Sequence, residues 1–386
     1  MRKRLFLGIL LLFIGLPTIM WLAWLFTPNT KLVIAIIDKT VLTTEGQEHI
    51  SLNWILNHEK YTKTSEKSYK VEEDYFGFFP EENEKFNLKG LERFSFSKLN
   101  QLSNDADLAY FTDTYGIYNN EWFQEEDEKE RSGILYGGLS DQDLQLLKLL
   151  KEKNKLIITE FNTIGSPTAF ENRNQFEEIF QLKWSGWTAR FFDNLNLQEN
   201  KELPKWLVRN YRNSHNGEWP FKNSGIAFVN NQDQVVILED ETHLKNAMPY
   251  IITEANFQKE YSLPERIKYP FWFDIISWNN EVNTTVSKFV IDANSKGLEE
   301  LKKYGIPSTF PAVTQHLGDD YNFYYFSGDF ADNPVGMGSS YFTGISFFKG
   351  LFYDDRNIME RSSFFWNYYR PLISNILEQY SERIYN

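Results

Sequence analysis

The hydrophobic residues of this chain fall into short apolar runs and longer amphipathic stretches. Apolar runs at 31–38, 107–113, 155–160, 225–229 and 234–238 predict buried strands, and the last two form a hairpin across residues 230–233. Between them, residues 140–153 predict a helix with a serine cap, acids in its first turn and lysines in its last. Apolar strands that alternate with helices are typical of a parallel α/β sheet.

The pattern changes in the C-terminal third of the chain. Aromatic-rich runs at 269–274, 308–313 and 322–326 predict strands, residues 293–304 predict a helix, and residues 357–384 predict an amphipathic helical tail broken at Pro371. This change of pattern indicates a domain boundary near residue 263. We therefore predict an α/β domain over residues 31–262 and an α+β region over residues 263–386.

The N-terminus predicts a membrane anchor. Three basic residues precede a charge-free stretch from Leu5 to Phe26, which matches the ~20 apolar residues that cross a bilayer. The basic residues would stay in the cytoplasm, and two tryptophans near the far end suit the membrane interface. A cleaved signal peptide is the alternative, but no small-x-small site follows. We predict residues 1–30 to be a basic tip and one transmembrane helix, with the bulk of the chain extracytoplasmic.

Composition excludes several function classes. With 40 Lys+Arg, 53 Asp+Glu and a net charge of −13, the chain lacks the basic surface that nucleic acid requires. The absence of cysteine excludes disulfides, thiol nucleophiles and thiolate-bound zinc. No histidine pair has zinc spacing, and no serine elbow or phosphate loop is present. The sequence therefore predicts no metal and no cofactor. The 17% aromatic content fits either a Phe-rich core or rings that stack on sugars.

Acidic residues stand at the ends of three predicted strands. These are Asp38, Asp113 and Glu160. Because the carboxyl ends of parallel strands meet at one edge, we expect them to converge there as candidate acid–base residues. Tyr115 and Asn162 follow two of them and are candidate ligand contacts. The alternative is structural, since strand-end acids commonly cap helices and bind loop amides.

Two further groups of residues are candidates for ligand binding. A polymer could contact an edge formed by Trp184, Trp187 and Arg190 around Gly186. Alternatively, the two tryptophans are a buried pair, and Arg190 forms a salt bridge with a strand-end acid such as Asp113 or Glu160. Asp329 and Asp332 follow an aromatic strand and a glycine turn. This pair has three interpretations: a carboxylate pair for glycan chemistry, a cation site built from oxygens, or an Asx-rich turn.

The arrangement over about residues 31–240 resembles the class I glutamine amidotransferase-like fold, with a parallel, flavodoxin-like sheet. The resemblance rests on Gly137-Gly138-Leu139-Ser140 before a long helix, on the strand ending at Glu160, and on the run Thr168, Arg173 and Phe176-Glu177-Glu178. Catalytic amidotransferases need a cysteine nucleophile, which this chain lacks. The resemblance therefore implies a binding or scaffolding domain, or a different chemistry on the same fold. The residues themselves indicate that the turn at 136–140 could hold an anion or a polar ligand at the helix N-terminus.

These observations lead to two expected functions. The first is a membrane-anchored extracytoplasmic protein that binds a glycan or a partner protein in cell-envelope polysaccharide or export machinery. The alternative is a carboxylate-dependent glycan-active enzyme, with Glu160 and Asp38 or Asp113 as its acid–base groups. An enzyme should hold two carboxyl groups ~5–10 Å apart across an open cleft. A binding module should have the same groups engaged by amides or arginines.

Overall fold

A computed structural model describes residues 11–44, 48–123, 130–354 and 356–385 of the chain. The strands are β1 (Thr30–Lys31), β2 (Ile34–Asp38), β3 (Tyr61–Thr62), β4 (Phe76–Pro80), β5 (Phe86–Leu88), β6 (Leu108–Asp113), β7 (Ile117–Tyr118), β8 (Ile134–Tyr136), β9 (Leu156–Glu160), β10 (Leu182–Phe192), β11 (Gly225–Asn230), β12 (Val235–Glu239), β13 (Tyr250–Thr253), β14 (Arg266–Lys268), β15 (Phe273–Trp278), β16 (Thr284–Val290), β17 (Thr309–Leu317) and β18 (Asn322–Phe326).

Helices lie in about half of the connections between consecutive strands. The α-helices span Leu16–Phe26, Ile50–His58, Phe96–Asp105, Asn119–Trp122, Asp141–Glu152, Phe170–Phe180, Lys205–Ser214, Ala255–Glu260, Ser295–Lys303, Ser362–Phe364 and Arg370–Tyr385. Shorter 3-10 turns span Leu91–Arg93, Met337–Tyr341 and Ile345–Leu351, and π-helical turns span Leu11–Gly15 and Phe365–Tyr369. The predicted break at Pro371 is wrong: the helical tail continues through a π turn, which accommodates the missing amide hydrogen of proline.

A ten-stranded sheet forms the centre of the molecule, in the order β14-β13-β16-β17-β18-β9-β6-β2-β4-β5. Five adjacent strands, β18, β9, β6, β2 and β4, run parallel to one another. The strands on either side of this group pair antiparallel, as β17 does with β18 and β5 does with β4. The predicted α/β class with parallel strands is therefore present, within a mixed sheet. Strand β18 pairs with β9, so strands from both sides of the predicted boundary at residue 263 belong to one sheet.

The central strands are apolar on both faces because each face is covered. Along β2, Ile34 and Ile36 pack into one hydrophobic cluster with Leu52 and Tyr369, from helices on that side. Ala35 and Ile37 alternate with them and join a second cluster with leucines of helix 141–152. Strands that are buried on both faces are continuous apolar runs in the sequence, and the sequence therefore predicts them well. The carboxyl ends of β2, β6, β9 and β18 then share one edge.

A second, four-stranded antiparallel sheet has the order β12-β11-β10-β15. The predicted hairpin is confirmed, because β11 pairs antiparallel with β12. Helix 205–214 packs on this sheet through a third hydrophobic cluster. A bridge between Phe273 of β15 and Gly328 brings this sheet to the carboxyl edge of the central one.

The N-terminal helix is exposed along its length. Helix 16–26 has no buried residue, and Phe26 is 78% exposed. Over the described residues, no helix combines the length and apolar character that crossing a membrane requires. The predicted basic tip and the first residues of the predicted span, at positions 1–10, lie outside the described part. The contacts of helix 16–26 to the body include Trp24, whose ring packs edge-on against Tyr341 at 4.8 Å, and Met20, whose carbonyl accepts the backbone N–H of Thr343.

Candidate functional site

Two of the predicted acidic residues are neighbours at the carboxyl edge of the sheet. Asp38 ends β2 and Asp113 ends β6, and the two are paired in register across a local irregularity. Glu160 ends β9, the next strand of the sheet. The parallel pairing therefore brings the three strand ends to one edge, as the sequence predicts.

The carboxylate of Glu160 is hydrogen-bonded by other residues of the chain. It is fully buried, and one carboxylate oxygen accepts a hydrogen bond from the hydroxyl of Tyr110. The other accepts the backbone N–H groups of Phe330 and Ala331, each at 2.9 Å. Burial raises the pKa of Glu160 well above its ordinary value, against the opposing effect of these hydrogen bonds. The side chain thus anchors the loop that follows β18.

Asp38 forms a buried pair with a histidine. Its Oδ2 lies 2.5 Å from Nδ1 of His49, and Nε2 of His49 lies 2.9 Å from the carbonyl oxygen of Val71. Because a carbonyl only accepts, Nε2 donates to Val71, and the Nδ1–Oδ2 contact fixes the ring against Asp38. The backbone N–H of Thr40 donates to Oδ1 of Asp38 at 3.0 Å.

The glycine turn before helix 141–152 holds a buried lysine rather than an open anion site. Lys39 Nζ lies 2.5 Å from Asp143 and donates to the carbonyl of Gly138 at 2.9 Å. It also pairs with Glu92. Burial disfavours the ammonium ion, but the charges of Asp143 and Glu92 leave the pKa of Lys39 raised. Asp143 also caps the helix, since it accepts the backbone N–H of Ser140 at 2.8 Å.

Three carboxylates from different parts of the chain meet at the edge of the sheet. These are Glu48, Asp113 and Asp329, which we call the carboxylate cluster; one oxygen of each lies within 4.8 Å of the others. Glu48 precedes helix 50–58, and Asp329 lies in the loop after β18. Burial raises the pKa of Glu48 well above its ordinary value, and the negative charge of Asp332 is the second largest cause. Burial also raises the pKa of Asp113 well above its ordinary value, and there the charge of Asp329 is the second largest cause.

Arginines border the carboxylate cluster on one side. Arg361 Nη2 donates to Asp329 at 3.1 Å, and its Nη1 pairs more closely with Asp332. The guanidinium lies 4.1 Å from the ring centroid of Phe271. Arg190 is close enough for the charges of Arg361 and Asp329 to act on it, and burial with the Arg361 charge lowers its pKa.

The ring of Trp272 completes this border. It is half-buried, and the guanidinium of Arg190 lies 5.9 Å from its centroid. The backbone N–H of Asp329 donates to the Trp272 carbonyl at 3.3 Å, which fixes the loop against β15. Asp329 therefore lies beside Arg361 and the backbone of Trp272, and the Trp272 ring lies near Arg190.

The remaining predicted ligand residues lie apart from this border or contribute by their backbone. Tyr115 donates its backbone N–H to Asp113, while its ring packs against Tyr118. Asn162 donates its backbone N–H to Asp274 at 3.3 Å. Trp187 is buried in the hydrophobic core, with its ring 6.1 Å from that of Tyr304. The structure thus brings together Asp38, Asp113, Asp329, Asp332 and Arg190, but not Asn162 or Trp187.

Sequence reasoning missed Glu48, His49 and Arg361. Glu48 and His49 lie in the connection from β2 to the helix at 50–58, and connections of this kind commonly carry ligand-binding residues in α/β sheets. That rule was the one available signal for them. Arg361 comes from the start of the helical tail, 29 or 32 residues from its partners Asp332 and Asp329, and no local pattern marks it.

No protein-family model matches the sequence, and no curated protein matches it. Among solved structures, a ThuA-like protein from Parabacteroides merdae aligns with a TM-score of 0.34 and 10% identity, over 78% of this chain and 79% of that one. A ThuA-like protein from Bacteroides uniformis gives a TM-score of 0.29 and 9% identity, over 82% and 89% of the chains.

The structure of Agd3, described as a novel carbohydrate deacetylase, aligns with a TM-score of 0.26 and 9% identity, over 78% of this chain and 29% of that one. At TM-scores below 0.5, these similarities establish neither a shared fold nor a shared activity. The resemblance to the amidotransferase-like fold therefore stays a prediction.

Proposed function

We propose that this chain is a membrane-attached envelope protein that binds a polyhydroxylated ligand, a glycan, at the carboxyl edge of its central sheet. The observation that carries the proposal is the carboxylate cluster together with Arg361, which donates a hydrogen bond to Asp329. Carboxylates accept hydrogen bonds from sugar hydroxyls and guanidinium groups donate to them. Trp272 adds an aromatic face beside Arg190 that can stack on the apolar face of a sugar ring.

Membrane attachment is supported by an apolar surface beside the N-terminal helix. Residues 345–352, which we call the apolar segment, include Phe347 at 90% and Leu351 at 82% exposure. The backbone N–H of Thr343, just before it, donates to the carbonyl of Met20 at 3.2 Å. At 1.5 Å per residue, Met20 lies ~9 Å along the helix from Phe26. If the helix inserts, the apolar segment lies near the boundary between headgroups and acyl chains.

A second candidate is a carboxylate-dependent glycan-active enzyme acting at the same edge. The observation in its favour is that oxygens of Glu48, Asp113 and Asp329 lie within 4.8 Å of one another, near the ~5 Å carboxyl separation of retaining glycosidases. The engagement of Glu160 by two amides and a tyrosine removes that residue from this candidate mechanism. The firm pairing of Asp329 and Asp332 with Arg361 favours binding over catalysis.

The test is retention of the full-length chain, in detergent, on immobilised envelope polysaccharide. Asp329→Asn keeps the size of the side chain and removes its charge, and it should weaken retention roughly tenfold or more, as expected for a lost charge-assisted hydrogen bond. Asp319→Asn, on an exposed turn, is the matched control and should bind like the wild type. Equal retention of both variants would contradict the proposal, and release of reducing ends would favour the enzyme.

A further inference from the structure

The spacing of the carboxylate cluster suits a single metal ion. Oxygen ligands lie 2.3–2.6 Å from Ca²⁺, so two ligands of one ion are at most ~5 Å apart. The oxygens of Glu48, Asp113 and Asp329 lie within 4.8 Å of one another. All three can therefore reach the same ion without rearrangement of the backbone.

The charges around the cluster are not balanced by side chains of the described part. Arg361 pairs with Asp329 and Asp332, and His49 pairs with Asp38. Across residues 11–44, 48–123, 130–354 and 356–385, no lysine, arginine or histidine forms an ion pair with Glu48 or Asp113. Desolvation destabilises a buried carboxylate that has no cationic partner.

Glu48 supplies an independent indication of a missing partner. The residue is only 9% exposed, and its Oε2 has no hydrogen-bond partner among the residues that the structure describes. A buried carboxylate oxygen is nearly always satisfied by a donor or a cation. Glu48 is also a member of the cluster, so its unsatisfied carboxylate group lies beside Asp113 and Asp329.

We infer that the carboxylate cluster binds one divalent cation of the calcium or magnesium type. All three ligands are carboxylate oxygens, which hard cations prefer, and the nearest histidine, His49, is occupied by Asp38 and Val71. Water or ligand hydroxyls would complete the coordination, since six to eight oxygens surround Ca²⁺. This inference rests on the proposed function and deepens it, because a cation at this edge can coordinate the hydroxyl oxygens of a glycan.

The experiment uses the full-length chain in detergent, stripped of metal with a chelator, and titrates it with CaCl₂ and then MgCl₂ by calorimetry. We expect one saturable site and a higher unfolding temperature when it is filled. Glu48→Gln should weaken cation affinity at least tenfold. It should also raise the unfolding temperature of the metal-free chain, because it replaces a carboxyl group that burial and the neighbouring Asp113 and Asp329 destabilise. Glu73→Gln, at an exposed ion pair with Lys70, is the matched control and should leave both properties unchanged.

Asp113→Asn provides a second variant if Glu48→Gln folds poorly, and it should show the same loss of cation affinity. Absence of saturable binding of either cation by the wild type would overturn the inference, as would wild-type affinity in both variants. Retention on polysaccharide is measured separately with and without the cation. A chain that binds Ca²⁺ but no polysaccharide therefore refutes the proposed function alone, and a chain that binds polysaccharide but no cation refutes this inference alone.

Discussion

Glu160 holds the loop after β18 through two backbone hydrogen bonds, and it accepts a third hydrogen bond from Tyr110 of β6. Glu160→Ala would leave the buried N–H groups of Phe330 and Ala331 unpaired, and we expect it to lower the free energy of unfolding by about 2–5 kcal/mol. Glu160→Gln keeps an oxygen for the two amides, and its amide group can donate to Tyr110, which then donates to Tyr369, 3.0 Å away. We expect this variant to lose less than about 1.5 kcal/mol. Urea unfolding measures the free energy of unfolding of both variants. Equal losses in Glu160→Ala and Glu160→Gln would contradict the role of Glu160 in anchoring the loop after β18.

The raised pKa of Glu160 also predicts how stability depends on pH. Because the folded pKa lies above the unfolded value of about 4.3, the folded state holds the proton more tightly. The contribution of Glu160 is therefore complete below about pH 4 and is lost as the pH rises towards the folded pKa. Glu160→Gln lacks this dependence, so the wild type should lose stability relative to the variant as the pH rises above about 5. A relative gain would show that the pKa is lowered instead.

Lys39 and Asp143 form a buried ion pair that can be tested by a double-mutant cycle. Lys39→Met leaves Asp143 without its cation and should cost about 3 kcal/mol or more. Adding Asp143→Asn removes the stranded charge and keeps an oxygen for the backbone N–H of Ser140, so we expect part of the loss to be recovered. If the double variant loses the sum of the unfolding free energies that the two single variants lose, Lys39 and Asp143 are not coupled.

At the scale of elements, the apolar segment makes a prediction about depth in the membrane. The chain has no cysteine, so Phe347→Cys can carry a single environment-sensitive fluorophore. In lipid nanodiscs we expect a blue-shifted emission, because residue 347 would lie near the acyl boundary. Phe96→Cys is the matched control, since Phe96 is also exposed, at 63%, but belongs to helix 96–105. Identical emission at both positions would contradict contact of the apolar segment with lipid.

The elements that the sequence predicts well are those whose pattern is local. Strands β6, β9 and β18 are continuous apolar runs, and helix 141–152 has its cap and its apolar stripe within a few residues. The pairing of β18 with β9 could not be predicted, because it joins residues that are far apart in the chain and both runs are equally apolar. The orientation of Trp187 also escapes prediction, since an aromatic residue suits either a core or a binding surface.

At the scale of the whole molecule, the candidate site is built from four separate stretches of chain. Asp113 follows a strand and Asp329 follows another, while Glu48 precedes a helix and Arg361 begins the tail. The strand-end rule finds the first of these from sequence alone, and the Asp329–Asp332 spacing draws attention to the second. Glu48 and Arg361 become part of the site only through tertiary packing, which no local pattern encodes.

The most direct test of the account is to map where a glycan contacts the chain. Hydrogen–deuterium exchange of the full-length chain, with and without saturating envelope polysaccharide, reports this location. We expect slower exchange at residues 113–116 and 328–333, which contain two members of the carboxylate cluster, and no change at helix 205–214, which packs on the second sheet. Protection confined to other surfaces, or none at any saturating concentration, would contradict a glycan site at the carboxyl edge of the sheet.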